Sequence, residues 1–248
     1  PLDLEWVIRN QIEFFIFELE TLEETIKIAG KINTKAIIHL DLETGMNRTG
    51  LSKDEMLKAV DIIKEHQDLV HVKGVTTHYA GAESIANHVR IMQQYRLFQK
   101  RIKQLAKRDI EPEIKHSACS AAAINYPQTW MDMVRVGIIM YGFWPTRETY
   151  IQYISKRLDK SNPLERAISW KTRVMSVNTI GEGQFVGYGF GYQAQYDMQV
   201  AIIPVGYANG YSRMLSNNGH VLINENRADV IGLVNMNIPI PKSINITH

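Results

Sequence analysis

The sequence predicts an α/β domain of parallel βα units followed by a mainly antiparallel β domain. Two observations carry this. Strand-length apolar runs alternate with amphipathic helical segments through the first 145 residues, as βα repetition requires. From about Ile168 the texture changes to short strands joined by Gly and Asn turns, with no helix between them. The size and composition agree: 248 residues, 45% apolar and 22% charged, suit one large or two modest globular domains and exclude disordered or fibrous chains.

In chain order, Ile12–Leu19, Lys35–Leu42, Val70–His78, Glu113–Cys119 and Met133–Tyr141 read as buried strands rich in Ile, Val and Phe. Glu20–Ile32, Lys53–Gln67 and Glu83–Arg108 repeat apolar residues at three- and four-residue spacing and read as helices. Ser52 is placed to cap the second of these, with Glu55 completing a capping box. These five strands fit an open sheet or a barrel. Residues 1–147 form this unit, and 148–167, with Pro163, read as a linker continuing a helix begun near Thr146. Residues 168–248 hold short strands at Ser169–Ile180, Gly187–Tyr192, Met198–Val205, His220–Asn224 and Asp229–Val234.

Composition narrows the function. Lys and Arg total 28 against 26 for Asp and Glu, a net +2 with no basic run, so no nucleic-acid partner is expected. The longest apolar stretches fall short of the roughly 18 residues a membrane span needs. The single cysteine, Cys119, excludes an intramolecular disulfide and fits a reducing, cytoplasmic setting. Pro1–Arg9 carries Asp3 and Glu5 and lacks the basic-then-apolar pattern of a secretory signal. No His, Cys and Asp cluster has metal-ligand spacing, so no metal is expected.

Chemistry-bearing residues collect where the strands end, the edge at which parallel α/β folds place their sites. Asp41-Leu-Glu-Thr-Gly-Met-Asn-Arg48-Thr-Gly50 follows the second strand. Thr77-His78-Tyr79-Ala80 follows the third. His116-Ser117-Ala118-Cys119-Ser120-Ala121-Ala122 follows the fourth with small residues that admit a ligand close to the backbone, and Ser120 adds a hydroxyl. Val134-Arg135-Val136-Gly137-Ile138 puts an arginine inside an apolar run, where a guanidinium needs a partner. In the β domain, Gly206-Tyr207-Ala208-Asn209-Gly210-Tyr211-Ser212-Arg213 follows a strongly apolar strand. Gly187-Tyr-Gly-Phe-Gly191 imitates a dinucleotide loop, but no βαβ unit surrounds it.

Taken in order with Gly232-Leu-Val-Asn-Met-Asn237, these segments resemble the alanine racemase family, fold type III of the pyridoxal 5′-phosphate enzymes. The resemblance implies a partial (β/α)₈ TIM-type barrel followed by a β domain, a head-to-tail homodimer with shared active sites, and interconversion of L- and D-alanine for cell-wall D-alanine supply. It implies that Arg135 donates to the pyridine nitrogen of the cofactor, and that Ser120, Gly137 and Ile138 bind its phosphate beside Tyr141. Arg48 would approach the phenolic oxygen and the substrate, His78 would join the supporting network, and Met236 would line the substrate-carboxylate side. Tyr207 would be one of two catalytic bases. A free phenol titrates at about 10, so it would need a cationic or hydrogen-bonding neighbour, Arg135 or His78, to act near neutrality.

The sequence departs from the family pattern in three ways. The segment carrying the Schiff-base lysine on the first barrel strand is absent, so the expected gene extends upstream of Pro1 by three βα units. Asp41 stands where the family often has a lysine, carbamylated in several members, and is expected to pair directly with Arg48. Asn209 and Asn237 replace usual aspartates. Other readings are a racemase of serine or of broad specificity, a decarboxylase of the same fold type, a non-catalytic cofactor carrier, or an inactive homologue. An initiator methionine codon directly before Pro1 would refute the upstream extension.

Overall fold

Ile16, Ile38, Leu40 and Val75 are almost wholly shielded from water, and they sit on three neighbouring strands of one parallel sheet. The computed structural model describes residues 2–237 and 239–241 and divides into two units, Pro1–Ile168 and Ser169–His248. The first unit runs α1 (Leu2–Arg9), β1 (Phe14–Ile16), α2 (Leu19–Ile32), β2 (Ala36–Asp41), α3 (Lys53–Glu65), β3 (Val70–Thr76), α4 (His88–Ala106), β4 (Ile114–Cys119), α5 (Ser120–Asn125), β5 (Met133–Arg135) and α6 (Arg147–Ser155). The strand order is β1-β2-β3-β4-β5, and every pairing is parallel. Each strand is added on the same side as the last, which is the winding of a (β/α)₈ barrel rather than of a doubly wound sheet, whose order reverses.

The helices bury the stripes their spacing dictates. In α2 the buried positions are Leu22, Thr25, Ile26, Ile28 and Ala29; in α3 they are Met56, Ala59, Val60 and Ile63. Both stripes join one core with Ile38 and Leu40 of β2 and with Phe98 and Leu105 of α4. The capping box at α3 forms as the sequence indicates: Glu55 N donates to Ser52 Oγ at 3.3 Å, and Ser52 N donates to Glu55 Oε2 at 2.9 Å.

Three elements differ from the sequence reading. Residues 2–9 form α1, held partly by the Arg9–Glu5 ion pair at 2.8 Å one turn apart. β1 keeps only Phe14–Ile16 of the longer apolar run, because α2 already begins at Leu19. β5 stops at Arg135. Gly137 leaves strand geometry with ψ −90°, and Ile138–Tyr141 become a 3₁₀ turn closed by Gly142 at φ 81°.

The second unit pairs β6 (Ser176–Ile180) with β7 (Met198–Ile202), and separately β8 (His220–Ile223), β9 (Asn226–Ile231) and β10 (Ile240–Pro241), all antiparallel. Asn224 and Glu225, at φ 47° and 66°, make the tight β8–β9 turn. The stretch 187–192 is a loop rather than the expected strand. Gly187 and Gly189 take φ 75° and 68°, and the stretch is flanked by the single bridge Phe185↔Gln193. Ser169–Met175 likewise precedes β6 without joining it.

Ser52→Ala removes one half of the capping box. It should lower the unfolding free energy by about 1 kcal/mol, read from the urea midpoint, while Ser52→Gly should lose only about a few tenths.

Candidate active site

Parallel strands in sequential order bring the C-terminal ends of β2 to β5 to one edge, where Asp41 faces Thr76, Thr76 faces His116 and Cys119 faces Arg135. The Arg135 guanidinium is gripped from β4 and the end of β3. Nη1 donates to Thr76 Oγ1 at 2.6 Å, to His116 Nδ1 at 2.6 Å and to the His116 carbonyl at 3.1 Å, while Nη2 donates to the Thr77 carbonyl at 2.9 Å. The arginine thus finds the partners its burial demands. Its Nε–H and the second Nη2 proton have no hydrogen-bond partner among the described residues.

A guanidinium only donates, so His116 Nδ1 must carry a lone pair and its proton must sit on Nε2. That N–H points at His39 Nδ1, 2.8 Å away, and the His39 Nε2–H in turn donates to Glu13 Oε2 at 2.8 Å. Glu13 Oε1 meets Lys73 Nζ at 3.1 Å. The result is a one-way chain from β5 through β4 and β2 to the residue before β1, with both imidazoles neutral. Both histidines are buried, and Phe15 packs its ring against each. Gly74 lies opposite His39, and a Cβ there would collide with the His39 ring at Nδ1. Burial first, then the Arg135 charge, pushes His116 down to about 3. The His39 and Lys73 contacts hold the Glu13 carboxyl below the usual carboxylate range.

The other candidate residues of the first unit lie at the ends of the same strands. Ser120 opens α5 directly after β4, and its Oγ accepts the Gly137 N–H at 2.8 Å, tying the turn after β5 to that helix. The space in front of Gly137 is open, since a Cβ added there would meet no atom within 4 Å, and Ile138 and Tyr141 are exposed beside it. His78 follows β3; burial first, then the charges of Arg48 and Arg135, pushes its imidazole down. Its ring stands outside the histidine chain. The expected Asp41–Arg48 pair does not form. Asp41 Oδ2 instead accepts from Thr49 Oγ1 at 3.1 Å, while Gly45 and Gly50, at φ 127° and 113°, turn the loop. Glu43 clamps the Gly45 and Asn47 N–H groups, and Arg48 is carried to the exposed side. Burial raises the Asp41 carboxyl, against the Thr49 hydroxyl and the charges of Arg135 and Arg48.

In the second unit, Tyr207, Arg213, Val234, Asn235, Met236 and Asn237 line a cavity of about 400 Å³. Tyr207 N donates to the Asn235 carbonyl at 3.1 Å, and Ala208 N to that of Met236 at 3.0 Å. Gly206 permits this, since a Cβ there would collide with the Asn235 oxygen. Asn209 Oδ1 accepts the Gly206 N–H at 3.1 Å, a task a carboxylate oxygen performs equally. Sequence reasoning missed Glu13 and His39, and gave His116, though quoted at the head of its segment, no role. The available signal was the need of Arg135 for an acceptor on the adjacent strand, where His116 begins the His-Ser-Ala-Cys run that ends β4.

The unfolded chain binds a proton at His116 near pH 6.5 that the folded chain refuses until about pH 3. Stability is therefore lost as pH falls through that window, by up to about 1.4 kcal/mol per pH unit. His116→Gln should be less stable than wild type at pH 7.5 but show a flatter decline between pH 6.5 and 4. Equal slopes in urea unfolding at each pH would contradict this.

Comparison with known proteins places this arrangement in context. The family model for the alanine racemase N-terminal domain matches residues 1–145, and that for the alanine racemase C-terminal domain matches residues 167–242. Alanine racemase 2 of Oceanobacillus iheyensis is 36% identical over 238 residues, covering 95% of this chain and 57% of the relative. The alanine racemase of Methanococcus maripaludis is 33% identical over 232 residues, covering 93% of this chain and 59% of the relative. The crystal structure of alanine racemase from Streptomyces lavendulae superposes with a TM-score of 0.86 at 25% identity, over 99% of this chain and 63% of that one. The chain thus spans under two thirds of the length of the proteins it matches. With the N-terminal model alone matching more than half of its residues, the chain belongs to the alanine racemase family.

Proposed function

We propose that this chain is part of a pyridoxal 5′-phosphate-dependent racemase that interconverts L- and D-alanine, working in the cytoplasm as a head-to-tail homodimer and supplying D-alanine for cell-wall synthesis. One observation carries the reading: an arginine fixed from two strands, beside a neutral histidine, with donors left over. Those donors suit the ring nitrogen of the cofactor, an acceptor, and the open space before Gly137 beside the Ser120 hydroxyl suits its phosphate. Relatives solved with ligands include a Bacillus anthracis alanine racemase with bound L-Ala-P.

Bound there, pyridoxal phosphate supplies the electron sink that acidifies the α-proton of an amino acid. The chain's residues tune and orient. Arg135 donates a hydrogen bond to the ring nitrogen without surrendering its proton, which limits the sink and discourages side reactions of a carbanion. Ser120, with Gly137 and Ile138, holds the phosphate end, and Tyr141 stands beside it. Arg48, exposed on its glycine-flanked loop and without an ion pair to Asp41, serves the substrate side with His78 behind, while Met236 and Tyr207 reach across the dimer to the site of the partner subunit. Racemisation removes a proton from one face and returns one to the other, so two bases are needed. Tyr207 holds the proton at its phenol oxygen on one face, and a lysine from the portion of the relatives this chain does not span serves the other. Asp41 brings a carboxylate where the resemblance to the family leads one to expect a lysine.

Tyr207→Phe in the longest chain the gene encodes should retain cofactor absorbance and lose racemisation by roughly 10²–10⁴. Mixing it with subunits lacking the lysine should restore part of the activity, because one mixed site then holds both bases. Near-wild-type racemisation by Tyr207→Phe would defeat the assignment.

A further inference from the structure

Glu13 is half-exposed and paired with Lys73, and by that contact alone it would be a surface ion pair of little consequence. Its other oxygen, however, ends the chain Arg135–His116–His39–Glu13. The direction of that chain is fixed at both ends. Arg135 can only donate, so both Nδ1 atoms are acceptors and both Nε2 atoms carry protons. The last partner must then accept from His39 Nε2–H, and an ionised carboxylate is a side chain that accepts without ever donating. A hydroxyl or amide in its place would permit His39 to carry its proton on Nδ1. That N–H would face the Nε2–H of His116, donor against donor, and the contact at 2.8 Å would open. The His39 N–H first, and Lys73 on Oε1 after it, hold the Glu13 carboxyl below the usual carboxylate range. Gly74 leaves the room the His39 ring occupies. The carboxylate also polarises the two rings in series, strengthening His116 Nδ1 as the acceptor that steadies Arg135.

We propose that Glu13 is a positioning residue for Arg135, acting through His39 and His116 to orient the guanidinium toward the ring nitrogen of the bound cofactor. This rests on the reading that Arg135 meets that nitrogen.

Two measurements on the longest chain the gene encodes test it. Nitrogen-15 NMR of labelled histidines, without cofactor, should show Nε2 protonated and Nδ1 unprotonated in both His39 and His116 at pH 7.5. The dissociation constants of pyridoxal 5′-phosphate and of its carbocyclic analogue, with C–H in place of the ring nitrogen, give the second readout. Glu13→Ala should mix the His39 tautomers and weaken pyridoxal phosphate by about tenfold, what one ordinary hydrogen bond is worth. The analogue should weaken by less than about twofold, since it makes no bond to Arg135. Glu13→Gln, which preserves shape, should act in the same direction and keeps the test readable if Glu13→Ala does not fold. Lys73→Met, which leaves the carboxylate in place, should change the ratio of the two constants little. Equal weakening of both compounds, or an Nδ1–H or charged histidine in the wild type, overturns the proposal. A wild type that binds no pyridoxal phosphate overturns the cofactor reading and the positioning role with it, while leaving the tautomers as described.

Discussion

A guanidinium half withdrawn from water is the constraint around which the strand ends of the first unit are organised. Burial disfavours the charge of Arg135, and Asp41 opposes that effect. A partly buried cation needs partners for the donors it turns inward. The sheet meets those with a hydroxyl, two carbonyls and one imidazole nitrogen, from β4 and the end of β3. The parallel, sequential strand order makes this possible, since it aligns the ends of four strands along one edge. A single antiparallel strand in the middle of the sheet would have sent one of those partners to the opposite edge.

The same arginine decides the protonation of groups it does not touch. His39 lies a full imidazole away, yet its tautomer follows from the direction in which Arg135 can donate. Protonation of His116 would place an N–H against the guanidinium, and so acid sensitivity and site geometry have one cause. The glycine at 74 belongs to this arrangement as much as the histidines do, because the His39 ring occupies the volume where a side chain at that position would begin.

Much of the scaffold was legible in the sequence. The helical stripes of α2 and α3, the Ser52 cap and the ends of β2 and β4 follow from apolar spacing and capping chemistry. The errors share a physical origin. An apolar run such as 133–141 has strand composition throughout, and only the backbone of Gly137 and Gly142 turns its second half into a 3₁₀ turn. Gly187–Tyr192 fails for the same reason, Gly187 and Gly189 adopting left-handed angles that no strand contains. In the site, Arg135 and Ser120 were visible as local anomalies, whereas Glu13, His39 and His116 are each unremarkable in their own segments. Their meaning lies in adjacency across strands, whereas the choice of Thr49 over Arg48 as the partner of Asp41 lies in how Gly45 and Gly50 turn one loop.

The histidine chain also bears on how the unit is built. Glu13 and His39 lie 26 residues apart, His39 and His116 are separated by 77, and Arg135 follows His116 by 19. Each strand pairs with the one made just before it, so the sheet can grow in the order of synthesis with mostly short loops to close. The polar chain cannot be completed so gradually. Until β5 docks, only Glu13 sets the direction of the chain, from its far end, and water can serve His116 Nδ1. Arrival of Arg135 replaces that water with a donor and closes the chain from its second end, making the loss of solvent exchange at the two histidines a marker of the moment at which β5 joins the strands before it.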